Sequence, residues 1–195
     1  AVVITPHFFR SNMSHEAFLK HYVMIADSSP IPVLLYNVPS FTGLNLEAVT
    51  ASALSSHENI IGIKDSSGNV EQLSEIISLT GDKEFSVLTG SSIVLYPSMC
   101  VGASGGIMAI ACALPEKCSD IIKLYKDGSH AEAKELQMRL IEPTIAVTSR
   151  YGVPGLKAAM ELTGYYGGRS RLPLLPVTSA EIEEIKNIFT NAGFI

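Results

Sequence analysis

Lys64 closes the apolar run Ile60-Ile61-Gly62-Ile63, and Asp65-Ser66-Ser67-Gly68 follows it. Twenty-eight residues earlier, Tyr36 closes a second apolar run, Pro32-Val33-Leu34-Leu35, ahead of Asn37-Val38-Pro39. Runs this apolar suit strands buried on both faces of a parallel sheet. The separation is that of one strand–helix–strand unit, which sets Tyr36 and Lys64 side by side at the same end of the sheet. The carboxyl ends of such strands are where α/β proteins keep their chemistry. An uncharged lysine amine is a nucleophile toward a ketone carbon, and a neighbouring phenol can carry the protons of the later steps. The pair is the equipment for Schiff-base chemistry on a keto acid.

Burial among Ile60, Ile61 and Ile63 is expected to disfavour the charged form of Lys64. Strand alternation puts Gly62 on the face of Lys64, which is expected to leave room below the side chain. Against this stand two plainer uses. A strand-end lysine can snorkel into water, and a strand-end tyrosine can plug a core with its hydroxyl bonded to backbone. Thr42-Gly43, in the turn after Pro39, could offer backbone N–H groups to a carboxylate. Gly90 and Gly105-Gly106 could do the same where backbone approaches a ligand closely. Gly102-Ala103-Ser104-Gly105-Gly106 lacks the Gly-Lys-Ser/Thr ending of a phosphate loop. His7 follows Thr5-Pro6 and reads as a structural histidine. No two histidines have metal-ligand spacing, so no metal is expected.

These residues need a scaffold, and the chain alternates strand-length apolar runs with helix-length amphipathic segments. Strands are expected at 1–5, 32–37, 60–64 and 85–89, with a glycine-rich fifth within 102–111. Helices are expected at 13–26, 46–56, 70–80 and 93–100, with Ser11, Asn12 or Ser14 capping the first and Asn45 the second. After Pro115 only helices follow, at 116–126, 130–149, 153–163 and 179–191, with an ordered loop over 165–178. The β–α rhythm implies a parallel sheet with right-handed crossovers. Five βα units could form an open doubly wound sheet or the later part of an eight-stranded barrel. A full barrel typically takes about 250 residues, more than this chain can supply alongside its helical tail. The division expected is 1–112 for the βα units and 113–195 for the helices.

The 195 residues are 47% hydrophobic and 17% charged, the balance of a globular domain with a substantial core. A net charge of −5, with Lys and Arg scattered, argues against a nucleic-acid surface. Cys100, Cys112 and Cys118 have no metal spacing, and an odd count suits a reducing compartment. No apolar run is long enough for a membrane helix, and no signal or transit peptide is visible.

Taken in order, Thr5-Pro6, Tyr36-Asn37-Val38-Pro39, Thr42-Gly43, Ile60-Ile61-Gly62-Ile63-Lys64-Asp65-Ser66, Leu88-Thr89-Gly90 and Gly105-Gly106-Ile107 resemble a known family. It is the class I aldolases of the dihydrodipicolinate synthase and N-acetylneuraminate lyase superfamily. The resemblance runs the whole length. It implies a partial (β/α)₈ TIM barrel, strands four to eight, followed by a C-terminal helical extension, with the first three βα units missing. Within the superfamily the chain resembles most the 4-hydroxy-2-oxoglutarate aldolases of the mitochondrial type. Arg139-Leu140-Ile141-Glu142-Pro143, Gly152-Val153-Pro154-Gly155-Leu156-Lys157 and Gly164-Tyr165-Tyr166-Gly167-Gly168 carry that likeness.

The resemblance implies that Lys64 is the Schiff-base lysine and Tyr36 the proton-transfer tyrosine. It puts Gly90 and Ile107 in the pyruvate pocket, and Ser66 near the distal carboxylate. The implied reaction cleaves 4-hydroxy-2-oxoglutarate to pyruvate and glyoxylate without a cofactor. The implied assembly is a homodimer or dimer of dimers, and the implied compartment the mitochondrion, with the cytoplasm as alternative. Two departures stand out. Phe41 occupies the place of the arginine that dihydrodipicolinate synthases use to grip the second substrate, which disfavours that synthase activity. Phe8 occupies the place of a tyrosine that reaches across the dimer interface into a proton relay. The alternatives are therefore a dihydrodipicolinate synthase or another pyruvate-dependent aldolase. A non-catalytic product whose open sheet edges bind a partner is the third.

Overall fold

The computed structural model describes residues 1–195, which form two compact units, Ala1–Ile107 and Met108–Ile195. The first unit is a five-stranded parallel sheet in the order β1-β2-β3-β4-β5. Its strands are β1 (Val2–Ile4), β2 (Val33–Asn37), β3 (Ile60–Asp65), β4 (Ser86–Thr89) and β5 (Gly105–Gly106). Sequential strands are neighbours throughout, as in a segment of a βα barrel, and not reordered as in a doubly wound sheet. The architecture is that of a partial TIM barrel followed by C-terminal helices. The fifth strand, expected within 102–111, shrinks to two glycines, which bring no side chains to pack.

The crossover helices are α1 (His15–Ser28), α3 (Ala48–Leu54), α4 (Val70–Thr80) and α5 (Leu95–Cys100), with a four-residue α2 (Pro39–Thr42) directly after β2. Ser14 caps α1 by accepting from Ala17 N at 3.2 Å, and Asn69 caps α4 by accepting from Gln72 N at 3.1 Å. Asn45 does not cap the following helix, which starts two residues later than expected behind Glu47. Its side chain is engaged elsewhere, with Asn37 and Gln72.

One face of the sheet carries the core of this unit. Leu35, Ile63 and Val87 pack against Phe18, Tyr22 and Ala26 of α1, Ala51 and Leu54 of α3, and Leu73 and Ile76 of α4. The opposite face, which holds Tyr36 and Lys64, is not covered in the same way. Val2 and Ile4 are 47% and 39% exposed there, against an expectation of burial on both faces. Ile61 sits where the β2–β3 register slips, with Val33 paired to Ile60 but Leu34 to Gly62, and it is 42% exposed. An extra residue at a bulge leaves the alternation, so an apolar run does not guarantee two buried faces.

The second unit is helical: α6 (Pro115–Lys126), α7 (His130–Ile145), α8 (Gly152–Leu162) and α9 (Ser179–Asn191). The helix expected over 130–149 ends in a π-turn at Ala146–Arg150, just past Pro143. A proline within a helix withholds one backbone donor, and wider turns occur where the ladder is disturbed. Thr178 and Glu181 form a capping box at the start of α9. No helix is long and apolar enough to cross a membrane.

Candidate active site

Lys64 and Tyr36 are register partners on neighbouring parallel strands, both at the carboxyl end. Lys64 Nζ lies over the Tyr36 ring, 4.0 Å from its centroid. Pairing in register places the two side chains on one face, and the ring face attracts a cation. Ile63 points to the other face and is fully buried, so it does not surround the amine. The space expected below Lys64 is taken: a Cβ on Gly62 would stand 2.9 Å from Leu34 Cδ2 and would overlap the Ser86 carbonyl oxygen. Gly62 thus lets β4 and Leu34 close up beneath the lysine.

Ser66 and Gly90 stand at the same rim. A Cβ on Gly90 would overlap Ser66 Oγ, lie 2.8 Å from Ser66 Cβ and 3.1 Å from Lys64 Cε. Only glycine lets β4 pass so near the lysine stem. Backbone bonds hold the rim together: Ser66 N donates to Asn37 O at 2.8 Å, Gly90 N to Asp65 O at 2.6 Å, and Ile107 N to Thr89 O at 2.9 Å. Gly105 pairs with Leu88 across the β4–β5 ladder, and Ile107 is exposed just beyond it. Lys64, Tyr36, Ser66 and Gly90 are thus brought together, with Gly105 and Ile107 at the end of the adjoining strand.

The turn at Thr42-Gly43 differs from expectation. Thr42 N donates to Val38 O, Gly43 N to Pro39 O at 2.9 Å, and Leu44 N to Thr42 Oγ1. Thr42 Oγ1 is itself buried against the Val38 and Leu44 carbonyls. The turn closes on itself as α2 with Gly43 in the left-handed region, φ 67°. Its amides are already spent, so they are not the free carboxylate donors that the sequence suggested. Phe41, on the same short helix, is 82% exposed. Phe8 is 87% exposed and packs edge-on against Phe9, with ring centroids 5.0 Å apart. His7 Nδ1 lies 3.3 Å from Thr5 O, a local contact.

Sequence reasoning missed the polar layer on the far side of the strands. Asp65 is buried, and its carboxylate accepts from Asn37 Nδ2 at 2.8 Å, Gln72 Nε2 at 3.0 Å, Ser67 N at 2.9 Å and the Ser67 hydroxyl. Asn37 Oδ1 in turn accepts from Leu46 N at 2.9 Å. Four donors on one carboxylate satisfy it without a cation. The signal in the sequence was a polar residue immediately after each strand-end residue of interest, Asn37 after Tyr36 and Asp65 after Lys64.

Residues 1–192 match the dihydrodipicolinate synthetase family model. A protein of Citrifermentans bemidjiense named 4-hydroxy-tetrahydrodipicolinate synthase is 34% identical over 188 residues, covering 96% of this chain and 64% of that protein. One of the same name from Methanoculleus marisnigri is 35% identical over 193 residues, covering 99% and 65%. The chain therefore spans a little under two thirds of these relatives. Among solved structures, a prophage protein of the dihydrodipicolinic acid synthase family from E. coli K12, in complex with pyruvate, superposes with TM-score 0.90. It shares 26% identity over all of this chain and 66% of its own. A variant of the 2-keto-3-deoxygluconate aldolase of Sulfolobus solfataricus superposes with TM-score 0.87 at 25% identity, covering 97% and 63%. The two sequence relatives carry the synthase name, not that of the 4-hydroxy-2-oxoglutarate aldolases. They are bacterial and archaeal, and lend no support to a mitochondrial compartment.

Proposed function

The chain belongs to the dihydrodipicolinate synthetase family, and from that premise we propose that the full-length protein is a pyruvate-dependent class I aldolase or synthase, a lyase working through a Schiff base at Lys64. One observation carries the reading: Lys64 Nζ stands over Tyr36 at the carboxyl end of adjacent parallel strands, with Gly90 close against the lysine stem and Ser66 beside Gly90. In its unprotonated form the amine adds to the C2 carbonyl of the keto acid. The carbinolamine loses water, and the protonated imine is the electron sink. Tyr36 hands protons to and from the oxygen atoms that form and leave. Loss of a C3 proton, or cleavage of the C3–C4 bond, gives the enamine of pyruvate. Gly90, Gly105 and Ile107 line the pyruvate end, and Ser66 faces the second substrate half.

The partner of pyruvate admits two readings, each with its own support. The names of the sequence relatives support condensation with aspartate semialdehyde. Phe41 in the arginine's place supports cleavage of 4-hydroxy-2-oxoglutarate to glyoxylate, since a ring cannot grip a carboxylate in bidentate fashion. Phe8, exposed beside Phe9, supports a homo-oligomer closed through that rim, without the tyrosine relay.

The test is reduction with borohydride in the presence of pyruvate, followed by peptide mapping. A reduced pyruvyl adduct on Lys64 is expected; an adduct elsewhere, or none, removes the reading. A rate comparison of glyoxylate against aspartate semialdehyde as acceptor then separates the two partners.

A further inference from the structure

The unit that holds Lys64 contains three other Lys or Arg residues, Arg10, Lys20 and Lys83. Lys20 pairs with Glu16 at 2.8 Å. Lys83 Nζ donates to Ser52 O at 3.0 Å, Ser55 Oγ at 2.9 Å and Ser56 Oγ at 3.1 Å. The guanidinium of Arg10 has neither a carboxylate nor a hydrogen-bond acceptor. It is nonetheless held in place. Arg10 follows the carboxyl end of β1, and its side chain crosses to the turn after β2, where it lies on the backbone of Gly43. A Cβ at Gly43 would stand 2.5 Å from Arg10 Nη1 and 3.2 Å from Arg10 Cδ. The left-handed φ and the absent Cβ of Gly43 therefore make the seat for this side chain.

The carboxyl ends of β1, β2 and β3 share one rim, so this unpaired cation stands at the same end of the sheet as the reacting amine. The amides of residues 42–44, the other donors in that turn, are consumed within it. A guanidinium left with all its donors open is a carboxylate receptor.

We propose that Arg10 receives the distal carboxylate of a dicarboxylic keto-acid substrate, the one beyond the C3–C4 bond, and so sets the preference of the site for keto acids carrying two carboxylates. This rests on the Schiff-base reading above. Arg10 is a binding residue on this view, and takes no part in the covalent steps.

The experiment traps imines with borohydride in the full-length protein over a range of pyruvate or 2-oxoglutarate concentrations, with the adduct read by intact mass. Pyruvate has one carboxylate and 2-oxoglutarate two. Arg10→Met is expected to raise the half-saturating concentration of 2-oxoglutarate by about tenfold to a hundredfold more than that of pyruvate, the usual worth of a charged hydrogen-bonded pair. Arg10→Lys, which keeps the charge but not the fork, should fall between. Added guanidinium ion should restore part of the 2-oxoglutarate trapping in the Met variant. Equal weakening for both acids, or no change in either, overturns the assignment. If the unsubstituted protein traps pyruvate but not 2-oxoglutarate, the dicarboxylate site is refuted while the Schiff base stands. If it traps neither, the Schiff-base reading falls and this proposal with it.

Discussion

Asn37 donates to Asp65 at 2.8 Å, one residue beyond the Tyr36–Lys64 pair and on the opposite face of the same two strands. The Tyr36–Lys64 pair and the buried Asn37–Asp65 pair are thus successive rungs of one ladder. Whatever holds Asn37 to Asp65 also fixes the spacing and register of Tyr36 and Lys64. Replacing Asp65 by Ala leaves the buried Asn37 amide one acceptor short, with only Asn45 Oδ1 remaining, while half-buried Gln72 and exposed Ser67 can turn to water. The expected loss is about 1–3 kcal/mol, read as a lower urea midpoint. A midpoint unchanged from the parent would show that the layer does not hold the strands.

Tyr36→Phe keeps the ring beneath the amine and removes only the hydroxyl. Turnover is expected to fall by about 10²–10⁴, the usual worth of a general acid–base group. The pyruvate adduct at Lys64 should still be trapped when reduction is left to completion. A fall of less than about fivefold would leave the hydroxyl without a part in proton transfer.

Gly90→Ala introduces a Cβ that overlaps Ser66 Oγ and presses on Lys64 Cε at 3.1 Å. Initial rates of pyruvate trapping should drop at least about tenfold. The double variant Gly90→Ala, Ser66→Ala removes the worst overlap but leaves the Ser66 Cβ at 2.8 Å. Partial recovery is expected, as a non-additive pair. Strict additivity of the two effects would exclude direct steric coupling.

The thiols should divide by burial. Cys100 and Cys112 are exposed and Cys118 is buried on α6. Burial pushes the Cys118 thiol up to about 11 from an ordinary value of 9.0. The native state favours the neutral thiol, so its contribution to stability is intact below pH 9 and is lost as pH rises toward 11. At pH 8 a thiol reagent is expected to modify two cysteines in the folded protein and the third only on unfolding. Cys118→Ala should flatten the alkaline decline in stability; an equally steep decline would assign it to other groups.

Glu161 should act in the opposite pH direction. The amides of Gly168 and Gly167 donate to its carboxylate at 3.0 and 2.8 Å and hold it below the usual glutamate value. A depressed carboxylate stabilises the fold above its unfolded value of 4.5, and that stability is lost as pH falls through the folded value. Glu161→Gln is expected to reduce the acid sensitivity of unfolding below about pH 5. An unaltered acid limb in the pH dependence of the urea midpoint would rule this contact out as a source.

The chain's own pattern was enough to place Lys64 and Tyr36 at one rim. Two apolar runs, each ending in a reactive side chain and separated by a helix-length segment, have one right-handed parallel arrangement. The β–α rhythm and the helical tail are equally local, because burial period and punctuation by Gly, Pro and caps are written residue by residue. The closure of the Thr42-Gly43 turn on its own amides was not legible, because a Thr-Gly pair suits both an anion cradle and a left-handed helix end. Nor was the seating of Arg10 on Gly43, thirty-three positions apart, or the junction of Asn37, Gln72 and Asp65 from three elements. Sequence by itself determined which side chains could react and at which end of the sheet. Only the tertiary structure decided which donors remain open to a substrate, since a hydrogen bond is spent or free according to what the fold brings within about 3 Å of it.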